Sequence, residues 1–150
     1  MSKIVHNYCR PTDWETIEKL LLDENAAAGP IMLSTRPKEV FRRDIETAID
    51  LSEMGLSYIS QENGLIRIGS MTTLQEIADS ELLAGQVGGM ICDAARKMAR
   101  INMRNQAVLG GVLSDFEGSG TLPAVLLVLN AATIIRMGNS IRVESLDSFF

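Results

Sequence analysis

The most regular pattern of apolar positions spans residues 87–101, where apolar side chains recur at helical spacing. The basic residues Arg96, Lys97 and Arg100 lie off that stripe, so the segment is predicted to form an amphipathic helix. A wholly apolar segment, Ala124–Leu129, follows a proline that suits a first helical turn. It predicts a second, buried helix.

Two capping boxes mark the starts of further helices. Thr12 with Glu15, and Thr73 with Glu76, have the Thr-x-x-Glu spacing in which each side chain hydrogen-bonds to the other residue's backbone amide. The helix predicted from Thr12 runs to about residue 22, and the helix predicted from Thr73 runs to about residue 83. A short helix is also predicted at residues 38–43.

Short apolar runs between these helices predict strands. They are residues 8–10, 31–33, 47–51, 58–59, 65–68, 106–109, 132–137 and 140–143. Asn63-Gly64 and Gly138-Asn139 each separate two such runs, which is a strong hairpin signal. Because helices and strands are interleaved, the chain is predicted to be α+β or mixed α/β, with a subdomain boundary near residues 52–57.

Composition excludes several classes of protein. The chain has 150 residues, with 14 basic and 19 acidic side chains and a net charge of −5. The hydrophobic share of 46% predicts a folded core, and the acidic balance offers no basic surface for nucleic acid. No apolar run approaches the roughly 18 residues of a membrane span, and the first residues carry no apolar signal segment. We expect a cytoplasmic protein that binds neither nucleic acid nor membranes.

Few residues suit acid–base, nucleophilic or metal chemistry. The single histidine, His6, is interpreted as a surface residue, and Cys92, within the helical stripe, as a small core residue. Cys9 and Cys92 are too few for a metal cluster or a disulfide framework. We therefore expect neither a catalytic side chain nor a metal ligand in this chain.

Two glycine pairs have different interpretations. Gly88-Gly89 stands near the start of the long helix, where a tight turn leaves little room for side chains. Gly110-Gly111 is predicted to end the strand 106–109 and to open a polar loop that reaches residue 120. Glycines there allow positive φ and close backbone approach, so their amides can bind an anion. A tight structural turn explains the pair equally well.

Several segments carry motifs that together are specific. Ile66–Ile77 has a strand–turn–helix pattern, and Ile101–Gly111 contains Arg-Asn-x-Ala-x-x-Gly-Gly. Leu122–Ala131 continues in register. These segments resemble the FAD-binding domain of molybdopterin dehydrogenases, a family that includes the flavin subunits of xanthine and carbon monoxide dehydrogenases. Further similarities to that family lie in Tyr8–Thr12, Thr47–Met54 and Val143–Phe150.

The resemblance implies an α+β, two-subdomain FAD-binding fold of the PCMH-like type, with mixed sheets and flanking helices and without the family's C-terminal domain. The N-terminal FAD subdomain is placed at residues 1–55 and the second at 56–150. In that family FAD lies between the subdomains, and one glycine loop from each meets the pyrophosphate. The flavin passes electrons from iron–sulfur clusters in a partner subunit to NAD⁺ or another acceptor, and a third subunit carries the molybdenum cofactor.

The first family loop, Ala-Gly-Gly-Thr-Asp, has its best match at Met32–Arg36. Here Leu33 and Ser34 replace both glycines, and their side chains obstruct close approach of the backbone to a pyrophosphate. The resemblance assigns cofactor binding to Thr35 and to Arg36, whose guanidinium can pair with phosphate. A solvated surface position is the alternative for Arg36.

The second family loop is better preserved. The resemblance assigns cofactor binding to Gly110, Gly111, Ser114 and Thr121. Three family residues differ. Val112 replaces the asparagine after Gly-Gly, Asp115 replaces a further asparagine, and Thr121 replaces an aspartate before Leu-Pro. Some polar contacts to the cofactor are therefore expected to be lost or altered.

Three functions stay open at this point. The chain can be the flavin subunit of a molybdenum hydroxylase, with a molybdenum-cofactor subunit and an iron–sulfur subunit as partners. It can instead be a scaffold that keeps the fold without FAD, as the substituted loop at Met32–Arg36 suggests. Thirdly, Gly110-Gly111 can bind another nucleotide or anion. Phe149 and Phe150 are expected to form a contact surface for another chain, and a homo-oligomer is a further possibility.

Overall fold

The computed structural model describes residues 5–22, 31–32, 45–114 and 120–150. Within these ranges the chain forms a three-stranded sheet, two hairpins and seven α-helical segments, with one additional 3₁₀ turn. The predicted α+β class is confirmed. The helix predicted at residues 38–43 lies outside the described residues, as does most of the loop predicted before residue 120.

The N-terminal unit is a small parallel sheet with one helix packed on it. Its strands are β1 (Val5–Cys9), β2 (Ile31–Met32) and β3 (Ile45–Ile49), in the order β1-β3-β2. Helix α1 (Trp14–Leu22) follows β1 and contributes Ile17 to a small core with Ile49 and Leu51. Leu56 and Met71 pack against this core from later in the chain, and the boundary at residues 55/56 stays a prediction.

Helix α1 begins one residue later than its predicted capping box implies. The capping side chain is Asp13, whose carboxylate accepts a hydrogen bond from the Thr16 amide at 2.8 Å. The expectation that Thr12 would cap this helix through Glu15 was therefore wrong. An ionised carboxylate is a strong acceptor for a helix N-terminal amide, and here it occupies the capping position.

Both predicted hairpins are confirmed. Strands β4 (Ile59–Glu62) and β5 (Leu65–Ile68) are antiparallel, as are β6 (Ala132–Met137) and β7 (Ser140–Ser145). Between β4 and β5, Asn63 has φ 52° and Gly64 has φ 78°. Two successive residues in the left-handed region are what a type I′ turn requires, which explains why Asn-Gly stands there.

The larger core is built by helices and the hairpins beside them. The helices are α2 (Leu74–Ala78), a 3₁₀ turn (Glu81–Leu83), α3 (Gln86–Met98), α4 (Ile101–Arg104), α5 (Leu109–Ser114), α6 (Thr121–Val128) and α7 (Leu146–Phe149). The side chains of Leu74, Ile77, Leu83 and Leu122 are fully buried. Cys92 is also buried, so its interpretation as a small core residue is confirmed.

The capping box at Thr73 is confirmed, because the Thr73 hydroxyl accepts from the Glu76 amide and the Glu76 carboxylate accepts from the Thr73 amide. The helix it starts is shorter than predicted and ends at Ala78. Gly88 is confirmed as a tight position in α3, since an added Cβ would stand 2.4 Å from the Leu83 carbonyl oxygen. For Gly89 the expectation was wrong, because the nearest heavy atom to an added Cβ is 4.0 Å away.

The helix predicted over residues 87–101 is divided in two. It ends at Met98, Ala99 is extended with φ −160°, and a new short helix begins at Ile101. Val87 and Ile101, the two ends of the predicted apolar stripe, are 60% and 55% exposed. The apolar stripe is therefore buried only over its central part.

Two further features concern the helices and the C-terminal phenylalanines. Among the described residues, no helix combines the length and the apolar character that crossing a membrane would require. The side chains of Phe149 and Phe150 are each 38% exposed, and the contact surface expected for them stays a prediction.

Candidate cofactor site

The turn after β5 is built around Gly69. Its amide donates to the Tyr58 carbonyl at 2.9 Å, and a Cβ added at Gly69 would stand 2.0 Å from the Leu56 carbonyl oxygen. No side chain is compatible with that approach. Thr72 is buried in the same turn, and its hydroxyl accepts from the Tyr58 amide at 3.0 Å and donates to the Tyr58 carbonyl at 2.9 Å.

Gly110 and Gly111 lie in the first turn of α5, so the prediction of a strand at residues 106–109 was wrong. Val108 makes a single isolated bridge with Thr73, and the helix begins at Leu109. The apolar run Ala107–Leu109 is buried because it packs on the turn after β5, without joining a sheet. The glycines are helical and do not use the left-handed conformation.

Three backbone hydrogen bonds join these two segments. They run from Leu74 N to Ala107 O at 2.8 Å, from Leu109 N to Thr72 O at 2.9 Å, and from Gly110 N to Ser70 O at 2.8 Å. We call residues 69–74 and 107–111 the glycine junction. A Cβ added at Gly110 would lie 3.0 Å from both Cβ and O of Ser70, so glycine is favoured by this contact alone.

The hydrogen bonds of the junction limit anion binding at Gly110. The Gly110 amide already has an acceptor in Ser70 O, and it is not free to bind a phosphate unless that bond is exchanged. The alternative of a tight structural contact is therefore sufficient to explain Gly110. Gly111 is buried beside it, and a cofactor role for either glycine stays a prediction.

Ser114 and Thr121 flank the segment 115–119, which lies outside the described residues. Both are exposed, and the Ser114 hydroxyl donates to the Gly111 carbonyl at 3.2 Å. Thr121 is the first residue of α6, its N-cap residue is Gly120, which has no capping side chain, and the first turn carries no acidic residue. Helix N-termini favour anionic groups, and the first turn of α6 offers the amides of Thr121 and Leu122, while Pro123 has no N–H. A cofactor role for Ser114 and Thr121 stays a prediction.

Thr35 and Arg36 lie outside the described residues, but the described strands show where their segment starts. Strand β2 ends at Met32, which pairs with the last residue of β3, and so does the last residue of β1. Because the three strands are parallel, the chain leaves β2 at the edge where β1 and β3 also end. Ligand sites in parallel sheets commonly lie at this carboxyl edge.

A polar network that the sequence did not reveal occupies the same edge. Asp50 follows β3 directly and is buried, and its carboxylate accepts from the Tyr8 hydroxyl, from Arg10 Nε at 3.0 Å and from the Ser52 amide at 2.9 Å. Arg10 also donates to the Tyr8 hydroxyl oxygen at 3.1 Å. These residues lie in family-like segments, yet only the parallel pairing of β1 with β3 brings them together. We call Tyr8, Arg10 and Asp50 the edge network.

The charge of Asp50 is set by competing effects. Burial alone would raise its pKa, but the hydrogen bonds from Tyr8 and Ser52 and the positive charge of Arg10 outweigh burial and hold the pKa below its usual range. Asp50 is therefore ionised at neutral pH. The Arg10 side chain remains 49% exposed, so its guanidinium is fixed at the edge and still accessible to an anion.

Arg104, the first residue of the Arg-Asn-x-Ala-x-x-Gly-Gly motif, has a structural role. Its Nε donates to the Gln75 side-chain oxygen at 2.9 Å, and its Nη1 donates to the carbonyls of Arg96 at 2.9 Å and Ala99 at 2.6 Å. These bonds satisfy the C-terminal end of α3 and tie it to α2. They also explain why the long predicted helix ends where it does.

Cys92 is poorly placed for thiol chemistry, and the expectation that the chain carries no metal ligand stays a prediction. In the described part of the chain, no group of three His, Cys, Asp or Glu side chains could hold a metal ion. Burial raises the pKa of the Cys92 thiol, and its Sγ lies 3.9 Å from the Ser80 carbonyl oxygen. A thiol in this setting is inert at neutral pH.

The chain is similar in sequence to known proteins. A family model described as the FAD binding domain in molybdopterin dehydrogenase matches residues 4–150. The medium subunit of nicotine 6-hydroxylase from Paenarthrobacter nicotinovorans is 31% identical over 103 residues, which are 68% of this chain and 36% of that protein. The Escherichia coli protein YgfM is 28% identical over 117 residues, covering 78% of this chain and 42% of its own length.

A solved structure shows the same fold. A chain of carbon monoxide dehydrogenase from Hydrogenophaga pseudoflava superposes with a TM-score of 0.87 at 21% identity, covering 100% of this chain and 53% of that one. The chain thus spans about half the length of that structure, and less than half of the two curated relatives. With its sequence matched from residue 4 to the end, this chain belongs to the family of FAD-binding domains of molybdopterin dehydrogenases.

Proposed function

We propose that this chain binds FAD as the flavin-binding part of a molybdenum hydroxylase-type dehydrogenase. The observation that supports this most is the match of the FAD-binding family model to residues 4–150. The glycine junction keeps the family motif at residues 104–111 packed on the turn after β5 through backbone hydrogen bonds. In this role FAD receives electrons from iron–sulfur clusters and delivers them to NAD⁺ or another acceptor. The proposed partners are a molybdenum-cofactor subunit and an iron–sulfur subunit, and the proposed location is the cytoplasm.

Hydroxyl groups and backbone amides are both available to bind the cofactor. Ser114 and Thr121 offer hydroxyl groups, and the start of α6 offers backbone amides for a phosphate. Thr35 and Arg36 would act from the segment after β2. The glycine junction fixes the start of α5, the helix that carries Ser114. When bound, FAD supplies the redox chemistry, and the protein supplies position and charge neutralisation.

A flavin-free scaffold is the second candidate, and two observations favour it. The Gly110 amide is already hydrogen-bonded to Ser70, and Leu33 and Ser34 stand where the family has glycines. The first feature occupies a backbone amide, and the second adds side chains that obstruct the approach of a pyrophosphate to the backbone. In this case the chain would keep the fold and serve as a binding surface for its partners.

A thermal-shift series separates the candidates. We expect FAD to raise the Tm of the chain in a concentration-dependent way, because a ligand stabilises the state that it binds. FMN, which lacks the second phosphate and the adenosine, should raise it less. A Tm that no FAD concentration changes would overturn the proposal. The variant Leu33→Gly/Ser34→Gly then becomes decisive, since FAD binding gained only by that variant would identify a scaffold with a lost site.

A further inference from the structure

Arg136 of β6 joins the two ends of the chain through three interactions. Its guanidinium carbon lies 4.6 Å from the centre of the Trp14 ring, and its Nη2 lies 3.5 Å from Glu18 Oε1. Its Nε donates to the Gly138 carbonyl at 3.2 Å. The last bond holds the guanidinium from its own hairpin turn. The face of the guanidinium then lies over Trp14 and its Nη2 faces Glu18, and both of these residues belong to α1.

Trp14 and Glu18 are placed to receive one guanidinium together. They are four residues apart on α1, and residues at that spacing lie on the same face of a helix. The side chains of Arg136 and Glu18 are 31% and 23% exposed, so the pair is less screened by solvent than an ordinary surface pair. A planar guanidinium can stack and form ion pairs at once, which a lysine cannot do.

This contact links the C-terminal hairpin to the N-terminal unit. Residue 136 is 118 positions from Glu18 and lies in the C-terminal hairpin, whereas α1 belongs to the N-terminal unit. Leu56 and Met71 also link that unit to later parts of the chain, but by apolar packing. Apolar contact has no directional preference. A stacked and hydrogen-bonded cation does, so it can fix the angle of α1.

We propose that Arg136, Trp14 and Glu18 form a clamp that positions the N-terminal unit, with the carboxyl edge of its sheet, against the rest of the domain for cofactor binding. This inference rests on the proposed FAD function. Arg136 acts as a positioning residue, because it sets the placement of α1 and of the sheet packed on it. Releasing the clamp lets the N-terminal unit sample other orientations, and FAD binding must then restore the original one.

The test uses Trp14 as its own probe, because the chain contains a single tryptophan. Arg136→Gln removes the charge and Arg136→Lys keeps the charge without the planar group. Acrylamide quenching of Trp14 fluorescence in the FAD-free protein reports the clamp, and titration with FAD reports its effect on affinity. Arg142→Gln is the matched control. Arg142 lies in the same hairpin, pairs with Glu144 at 2.9 Å, and points to the opposite face from Arg136.

We expect Arg136→Gln to make Trp14 more accessible to acrylamide and to weaken FAD binding by about 3- to 10-fold, the range typical of a cation–π contact with an added ion pair. Arg136→Lys should fall between this variant and the wild type. Arg142→Gln should match the wild type in both measurements. Circular dichroism spectra of all variants should superpose.

Two outcomes would overturn the proposal. If Arg136→Gln behaves like Arg142→Gln in the quenching measurement, the clamp does not hold α1. If Trp14 becomes more accessible while FAD affinity is unchanged, the clamp does not position the cofactor site. Wild-type protein that binds no FAD would instead overturn the proposed function, and the quenching measurement would still decide whether the clamp holds α1.

Discussion

The glycine junction and the edge network each hold a part of the chain in place, and they do so by opposite means. At the junction, backbone groups bond to backbone groups, and glycines at 69 and 110 let carbonyls approach where a Cβ would collide. At the edge, a buried ionised carboxylate collects a phenol, a guanidinium and an amide. The junction is therefore controlled by side-chain size and the edge by charge.

This difference predicts different sensitivities. One added carbon should damage the junction at any pH, while the edge should tolerate changes of size and fail when its charge is removed. A backbone-built site also keeps its shape when salt screens surface charges. The variants below are arranged from the largest expected effect to the smallest.

Gly69→Ala should have the largest effect. Its Cβ would meet the Leu56 carbonyl oxygen at 2.0 Å, so two backbone segments must separate, at a cost of about 3 kcal/mol in the free energy of unfolding. Urea denaturation followed by circular dichroism measures this. The control is Gly89→Ala in α3, where the nearest heavy atom is 4.0 Å from the added Cβ. That variant should gain about 0.5–1 kcal/mol from helix propensity, and equal losses in both variants would contradict the close approach.

Asp50→Asn should break the edge while leaving its size unchanged. We expect a loss of about 2 kcal/mol at pH 7, because hydrogen bonds to a charged acceptor are replaced by weaker and mismatched ones. Glu53→Gln is the control, since Glu53 is an exposed partner 3.7 Å from Arg10. A loss in Glu53→Gln as large as that in Asp50→Asn would show that general charge, not the edge network, matters.

The stability difference between the wild type and Asp50→Asn should depend on pH. Folding lowers the pKa of Asp50 below its unfolded value near 3.8. Such a group stabilises the native state above the unfolded pKa, and its contribution is lost as the pH falls through the lowered native value. The difference between wild type and Asp50→Asn should therefore be constant near neutrality and shrink below about pH 4. A difference that grows on acidification would contradict an ionised Asp50.

Gly110→Ala tests the milder contact of the junction. The added Cβ would lie 3.0 Å from Cβ and O of Ser70, which small shifts can relieve, and the gain in helix propensity offsets part of the strain. A net loss of about 1 kcal/mol is expected. Ser70→Gly removes one of the two colliding atoms, so the double variant should recover part of the loss. An additive double variant would mean that Ser70 does not set the constraint.

Thr73→Ala should have a small effect, comparable with that of Gly110→Ala. Thr73 adjoins the close approach and its hydroxyl accepts from the Glu76 amide at 3.1 Å. Losing this cap should cost about 1 kcal/mol. Thr73→Ser retains the hydroxyl and should restore most of the stability measured by thermal unfolding. Failure of serine to do so would point to the methyl group and not to the cap.

Local signals in the sequence predicted local structure well. Asn63-Gly64 specifies its hairpin because two adjacent residues must take left-handed conformations, and Thr73 with Glu76 starts α2 through bonds within one turn. Where two local signals competed, the result was wrong. Thr12 and Asp13 both suit an N-cap, and only the structure shows that Asp13 takes the position.

Features that depend on distant residues could not be predicted from the pattern. Ala107–Leu109 has the apolar character of a strand, but its partner is a turn more than 30 residues earlier, so it packs without forming a sheet. Tyr8 and Asp50 are 42 residues apart and meet only through strand pairing. The resemblance to a family identified the motif at Arg104 without showing that it ends a helix.

The measurement that tests the central claim most directly is a titration of the purified chain with FAD, followed by the visible absorbance of bound flavin after removal of free cofactor. The claim predicts saturation at one FAD per chain, with weaker binding in Gly110→Ala than in Gly89→Ala. A chain that folds as described and retains no flavin at saturating FAD would contradict it.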